Sequence, residues 1–363
     1  MNTAVPASRL LAIDWMYEAH WFRGRVIALP GTLQFLHRFV THLCAPTFVF
    51  LAGTALALSV ARRRAAGEAE SRIDARLVKR GLFIAALEIW MSVGSGVLVL
   101  QVLYAIGISM VCMAALRRLP VRALAMGAIA WFLVQDAVLR GLGLMPGLGF
   151  QVPGSLFLVP GFTFIPGFAP PPPIYPIFIA LYPVLPWLAI MAGGWCFGSW
   201  LQGRAADDRV PERRLLLAGL AGLAIFIGVR VGGGYGNLFM PPVVGTLPGF
   251  LLTSKYPPSL AFVAAQLGLM ALLLAGLFRV QRSGRRPLPL EPLRIFGSSA
   301  LFFYVIHVHL LLAAAMLILG MPGRAGMGAA RLATLGALVV LLPVCAWFLR
   351  QRTARPGGWT RFF

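Results

Sequence analysis

The sequence predicts an all-α, polytopic integral membrane protein: a helical bundle of nine full spans plus a short N-terminal helix. Three observations carry that expectation. Hydrophobic residues make up 59% of the 363 and charged residues only 12%, with a mean hydropathy of +0.82. A soluble domain is about half apolar and roughly a quarter charged, so this chain has too little polar surface to cover a globule in water. That excludes a soluble enzyme, a disordered chain and a coiled coil. Second, nine segments come close to the roughly 20 apolar residues that a spanning helix needs. They are 43–60, 81–96, 99–117, 121–139, 176–200, 214–231, 259–279, 295–319 and 329–349. Third, the connectors alternate in charge. Those at 61–80, 117–122, 201–214, 279–294 and 350–363 hold 23 Lys and Arg, against 5 in the others. The positive-inside rule then puts 61–80 and the C-terminus in the cytoplasm.

The net charge is +21. In a soluble domain such a value points to nucleic acid. Here the arginines sit at helix ends, where they set topology and meet anionic lipid headgroups, so lipid is the expected partner and nucleic acid is not. Cys44, Cys112, Cys196 and Cys345 all lie in apolar segments and lack the spacing of a metal site or disulfide framework. No metal is expected.

Taken in order, residues 1–42 form an N-terminal segment of their own. Leu10–Phe22 is apolar for about 13 residues, or about 20 Å of helix, and is interrupted by Asp14, Glu18 and His20. It is too short to cross the core and reads as an interfacial helix or a degenerate first span; no signal peptide is read. The spans occupy 43–349, and 350–363 is a basic cytoplasmic tail. Two outer connectors are long. Residues 141–175 are apolar but full of Gly and Pro, which excludes a helix. Residues 232–258 are similar but carry Tyr235, Asn237, Lys255 and Tyr256.

Ionisable groups inside a membrane are costly and mark function by default. Glu88 lies mid-span, with Ser92 and Ser95 on the same face. Gln101 and Tyr104 stand one turn apart on the next helix. Asp136 and Arg230 sit near the outer ends of their spans. His307 and His309 lie mid-span but about 200° apart around the helix, so they face different surroundings. His307 shares its face with Tyr304. His42 opens its span at the outer side. Topology thus collects these groups in the outer half, beneath the two Gly/Pro-rich loops. Gly194 and Gly198 are expected to serve close helix packing.

Several blocks resemble bacterial relatives of heparan-α-glucosaminide N-acetyltransferase. They are the opening Arg9-Leu-Leu-Ala-Ile-Asp14, HRFVTHLCAPTFVFLAGTALALS (37–59), LVKRGLFIAALEI (77–89) and LQVLYAIGISM (100–110). YPVLPWLAIMAGGWCFG (182–198), KYPPSL (255–260) and FGSSALFFYVIHVHLLL (296–312) complete the set. The resemblance implies a transmembrane acyltransferase of the bacterial inner membrane. Acetyl-CoA or another acyl-CoA would be the donor, an envelope carbohydrate or amino sugar the acceptor, and a histidine the acyl carrier or general base. On that basis His307 and His42 are acid/base candidates and Glu88 orients a histidine. Lys255 and Asn237 contact the acceptor, with Tyr304, Asp136 and Arg230 also on the substrate. Relatives carry Arg-Gly and Asp-His in a full first span. Here Ile13-Asp14-Trp15 runs directly into MYEAHWFRGR: the Arg-Gly is not in place, Arg23-Gly24 lying downstream of the only local histidine, and the Asp-His pair is missing, with His20 the local substitute. The rival expectations are a proton-coupled transporter using Glu88 and His307, and a catalytically inactive relative. A homo-oligomer stays open.

Overall fold

The structure, a computed structural model, describes residues 35, 39–92, 98–143, 157–158, 161–163, 178–204, 208–243, 245–284, 290–320 and 327–355. The helix expected over 9–22, with His20, lies outside them, as does most of 141–175. The chain forms two compact units, residues 26–283 and residues 284–363 with 1–25; each is described by itself.

In the larger unit the elements run α1 (Cys44–Ala65), α2 (Glu70–Ser92), β1 (Leu98–Leu100), α3 (Val102–Leu116) and α4 (Val121–Gly141). Then come β2 (Gly161–Thr163), β3 (Phe178–Ala180), α5 (Val184–Leu201), α6 (Val210–Gly232), α7 (Leu247–Leu251) and α8 (Leu260–Arg282). The smaller unit holds α9 (Leu290–Ser298), α10 (Ala300–Leu319) and α11 (Met327–Ala354). Every segment expected to span contains a helix. By length and composition, however, seven helices among the described residues suit a crossing, not nine. α2 is charged over its first three turns. α3 has 15 residues, about 22 Å at 1.5 Å each.

The shortfall in α3 has a visible cause. Segment 99–117 begins as strand β1, and segment 176–200 begins as β3. The two pair in parallel, Leu98 with Phe178 through Leu100 with Ala180, while β2 pairs antiparallel on the far side of β3. The all-α class holds, with these three-residue strands the exception among the described residues. A short apolar run does not distinguish a buried strand from a buried helix. Non-helical backbone is tolerated at membrane depth only when paired inside the protein, and these strands satisfy one another.

Glycine sets the helix contacts. Gly53, Gly194 and Gly198 let α1 and α5 run side by side, with a Cβ on Gly198 only 2.6 Å from the Thr54 carbonyl oxygen. Thr54 Oγ1 donates to the Gly194 carbonyl across that seam at 3.1 Å. Gly81 and Gly107 face each other's backbone between α2 and α3, and Gly219, Gly222 and Gly268 do the same between α6 and α8. Close approach over small residues is the main source of helix association where lipid removes the hydrophobic drive. The expectation for Gly194 and Gly198 holds. Outward faces are apolar: Met126, Ile129 and Leu133 on α4 and Leu217, Leu220 and Ile227 on α6 are exposed, the surface a lipid-facing helix presents.

One end of the larger unit is charged. Arg117, its side chain fully buried, donates to Glu70 at 2.6 Å and pairs with Asp74, which also meets Arg118. Arg64 donates to Glu70 at 2.6 Å and Arg63 to Glu68 at 2.9 Å. The cluster ties the last turns of α1 and α3 to the first turns of α2. Hydrogen bonds from Arg64 and then Arg117 hold the Glu70 carboxyl down at about 2. Asp74 is also lowered: burial raises it, but Arg118 and Arg117 outweigh burial. A depressed folded-state value stabilises above the unfolded carboxylate pKa and is lost as pH falls through the folded one. Thermal melts are therefore expected to be flat from pH 7 to about 5 and to drop between about 4.5 and 2. Glu70→Gln should flatten part of that drop; an unchanged pH profile in the variant would contradict the clamp.

In the smaller unit, α10 and α11 join through stacked Phe302 and Phe348, 4.2 Å between ring centres, beside fully buried Cys345.

Candidate active site

At the end of the larger unit opposite the charged cluster, the ends of α4 and α6 and the loop 232–258 form a polar clamp. Arg230, in the last turn of α6, is 1% exposed. Its guanidinium donates to the carbonyl oxygens of Phe250 (2.7 Å), Met240 (2.7 Å) and Gly249 (2.9 Å) and to Asn237 Oδ1 (2.6 Å). Asn237 Nδ2 donates in turn to the Val229 and Gly234 carbonyls. Asp136 reaches the same loop from α4. Its Oδ2 accepts from the Gly236 amide at 2.7 Å and the Leu238 amide at 3.4 Å, and Oδ1 accepts from Arg140 at 2.7 Å. Gly236 (φ 85°) and Leu238 (φ 50°) both take left-handed backbone there. That conformation is uncommon for leucine, and the carboxylate holds its amide. Asp136, Arg230 and Asn237 were expected on the substrate; in the structure Arg230 and Asn237 bond the loop and the end of α6, and Asp136 bonds the loop and Arg140.

Next to the clamp lies Thr253-Ser254-Lys255-Tyr256-Pro257-Pro258-Ser259, nearly all buried. The Ser259 amide donates to the Ser254 carbonyl at 2.9 Å, and Ser259 Oγ caps α8 by accepting from the Phe262 amide at 3.1 Å. A serine N-cap is the expected start of a helix. Lys255 Nζ lies 5.0 Å from the Tyr256 ring centre and 5.9 Å from that of Tyr182. The two tyrosine rings meet edge to face at 5.1 Å, and Tyr182 lies against Trp187 at 4.6 Å. An ammonium among aromatic faces is stabilised by their quadrupoles. Tyr182 is brought there by the sheet, since the Leu181 amide continues the ladder to the Leu100 carbonyl at 2.9 Å. His42, buried in the turn before α1, meets the Phe262 ring edge-on at 5.8 Å. His42, Lys255, Tyr256, Tyr182 and Trp187 are thereby gathered at one end of α1, α5 and α8.

Glu88 lies at the same end and is 2% exposed. Its Oε2 accepts from the amides of Leu103 (2.8 Å) and Tyr104 (3.3 Å). These are first-turn amides of α3, whose own N-cap residue, Gln101, makes no side-chain cap. Glu88 therefore caps a neighbouring helix by accepting two of its first-turn amides. Glu88→Gln keeps an accepting oxygen and is expected to retain most activity and stability. Glu88→Leu orphans two buried amides and should cost about 2–4 kcal/mol. Melts and transfer rates of the two variants check this. A Gln variant as damaged as the Leu variant would return the carboxylate's charge to the mechanism.

His307 belongs to the smaller unit. Its Nδ1 lies 3.1 Å from the Phe303 carbonyl oxygen, and its ring stacks on Phe303 at 5.1 Å and meets Tyr304 edge-on at 5.4 Å. His309 Nδ1 lies 2.7 Å from the Val305 carbonyl oxygen. A carbonyl only accepts, so Nδ1 carries a proton in both. Both residues are half-buried, so exposure does not separate them as the 200° offset led one to expect.

Sequence reading passed over Gln135, Gln266 and Trp187, all buried here. Gln135 Nε2 donates to the Pro258 carbonyl at 3.0 Å. Gln266 is the lone polar residue in the apolar stretch LAFVAAQLGLMALLLAG, and that isolation was the available signal. Among the described residues, no three His, Cys, Asp or Glu are grouped to hold a metal.

The fold and its polar end define a polytopic membrane protein whose charged and aromatic groups converge beneath one connecting loop. Residues 8–230 match the model of the heparan-alpha-glucosaminide N-acetyltransferase catalytic family, and the chain belongs to that family. The match includes His42, Glu88, Asp136 and Arg230; Asn237, Lys255, Tyr304 and His307 lie beyond it. No curated protein and no solved structure matches.

Proposed function

We propose that this protein is a membrane-embedded acyltransferase that moves an acyl group, acetyl for preference, from acyl-CoA to an amine or hydroxyl of an envelope carbohydrate. Family membership over 8–230, with buried His42 inside that range, carries the reading. His42 acts as general base. As the acceptor nitrogen attacks the thioester carbonyl, His42 takes its proton; the C–S bond then breaks, the amide forms, and CoA leaves as a thiolate that regains the proton. An imidazole titrates near the working pH and suits both transfers. Lys255 contacts the acceptor and, as a cation, would stabilise a developing oxyanion. His307 is the second acid/base candidate. The basic helix ends face the bacterial cytoplasm and this site faces the opposite side, the C-terminus being cytoplasmic.

Proteoliposomes containing the purified protein, given labelled acetyl-CoA and glucosamine, should release free CoA thiol together with labelled N-acetylglucosamine. Proton flux driven by a pH gradient, with no thiol release, would favour a transporter and overturn the reading.

A further inference from the structure

At the charged end of the larger unit, two arginines share one indole. Trp200, in the last turn of α5, is half-buried. The Arg204 guanidinium carbon lies 4.2 Å from its ring centre, and that of Arg214, on α6, lies 5.2 Å away. An indole is the strongest aromatic partner for a guanidinium. Packing fixes where this one sits: the ring meets Phe197 at 5.9 Å, and Phe197 packs on Leu215, Ala271 and Ala275 where α5, α6 and α8 converge. Two guanidiniums this near one ring centre stand closer together than one screening length, about 10 Å at 0.1 M salt, so they repel. Only one has a carboxylate. Arg204 donates to Asp208 at 2.8 Å and to the Trp200 carbonyl oxygen at 3.2 Å. Glu212 is taken by Arg282. Arg214 and its neighbour Arg213 are exposed and make no ion pair among the described residues. Positive-inside topology depends only on the number of basic residues; it does not require two of them stacked against their mutual repulsion.

The surface beside these cations selects the ligand. Arg213, Leu217 and Leu220 recur on α6 at i, i+4 and i+7 and share one face, and Leu217 follows Arg214 by three. Both leucines are more than half exposed. They stand about 4.5 and 9 Å beyond Arg214 along the helix axis, toward its apolar stretch. The patch is cationic at the helix end and apolar below it, with a tryptophan at the boundary, the level this residue favours in a bilayer. A phosphodiester matches the cationic part, because guanidinium binds phosphate oxygens in pairs. A soluble phosphate ester would make no use of the leucines. A phospholipid uses both parts.

We propose that Trp200, Arg204, Arg213 and Arg214 form a binding site for one anionic phospholipid, whose phosphate bridges Arg204 and Arg214 and whose acyl chains lie along Leu217 and Leu220. The site is independent of the acyltransferase reading.

The test titrates the full-length protein, purified and delipidated in detergent, with phosphatidylglycerol or with phosphatidylcholine, and counts bound lipids by native mass spectrometry. One phosphatidylglycerol per chain is expected to bind saturably and in preference to phosphatidylcholine. Arg214→Gln should weaken that binding about fivefold, the worth of one basic residue beside a headgroup. Trp200→Leu, which removes the shared ring, should weaken it as well. Arg72→Gln removes an exposed arginine of the same charged end, on α2, and should bind like the wild type. Glycerophosphoglycerol, the headgroup without its chains, should not compete. Equal losses in Arg214→Gln and Arg72→Gln would reduce the site to diffuse charge and overturn it. So would equal binding of the two lipids, wild-type affinity in Arg214→Gln, or displacement of the lipid by glycerophosphoglycerol.

Discussion

His42→Ala is expected to slow acceptor-dependent acetyl transfer by about 10²- to 10⁴-fold, the range a positioned acid/base group supplies. The comparison that gives this weight is with His307→Ala and His309→Ala. Each of those imidazoles leans on the carbonyl four residues before it in its own helix, and each substitution should change the rate only a few-fold. His42→Gln guards against a packing artefact, because it keeps a polar side chain of similar length against Phe262 yet cannot take a proton. If His42→Gln melts like the wild type and is as slow as the Ala variant, loss of the base is the cause. A large loss in His307→Ala with wild-type rates in both His42 variants would move the reaction to the smaller unit.

Arg230→Met should be the most destabilising single change in the larger unit. It removes the donor to three carbonyls and Asn237 Oδ1 at once, all at a buried position. Removing one side of a buried charged network costs about 3–5 kcal/mol, which corresponds to roughly 6–20 °C in the melting temperature of a unit this size. Arg230→Lys keeps the charge but not the planar fork, so it should recover only a minor part of the loss. Because the loop carries Lys255 at its far end, transfer should fall with stability. A Met variant that melts like the wild type would show that the loop is held by other contacts.

The helices were legible because a lipid-crossing segment announces itself by length and hydropathy: each expected span in 43–349 contains a helix, and seven helices among the described residues are long and apolar enough to cross. Where they start was less legible. Segments 99–117 and 176–200 are as apolar as their neighbours, and only the pairing of Leu98–Leu100 with Phe178–Ala180 reveals strands. Burial of the ionisable residues was legible too: Glu88, Asp136, Arg230 and His42 are all inside, as their cost in lipid implies. Their partners were not. That Glu88 caps α3 and that Asp136 and Arg230 share one loop depends on which helix ends meet, and no spacing along the chain encodes it. Arg117 was read as part of a topology signal, whereas burial makes it the centre of an ion cluster. Gln266 and Trp187 were passed over because amide and indole groups inside an apolar run carry no charge to draw attention.

The most direct test of the acyltransferase account is calorimetric titration of acetyl-CoA into the purified, full-length protein. Saturable binding at about one molecule per chain, competed by free CoA and retained in His42→Ala, is the predicted result. No heat of binding, with the protein folded and its melting temperature unmoved by acetyl-CoA, would contradict it.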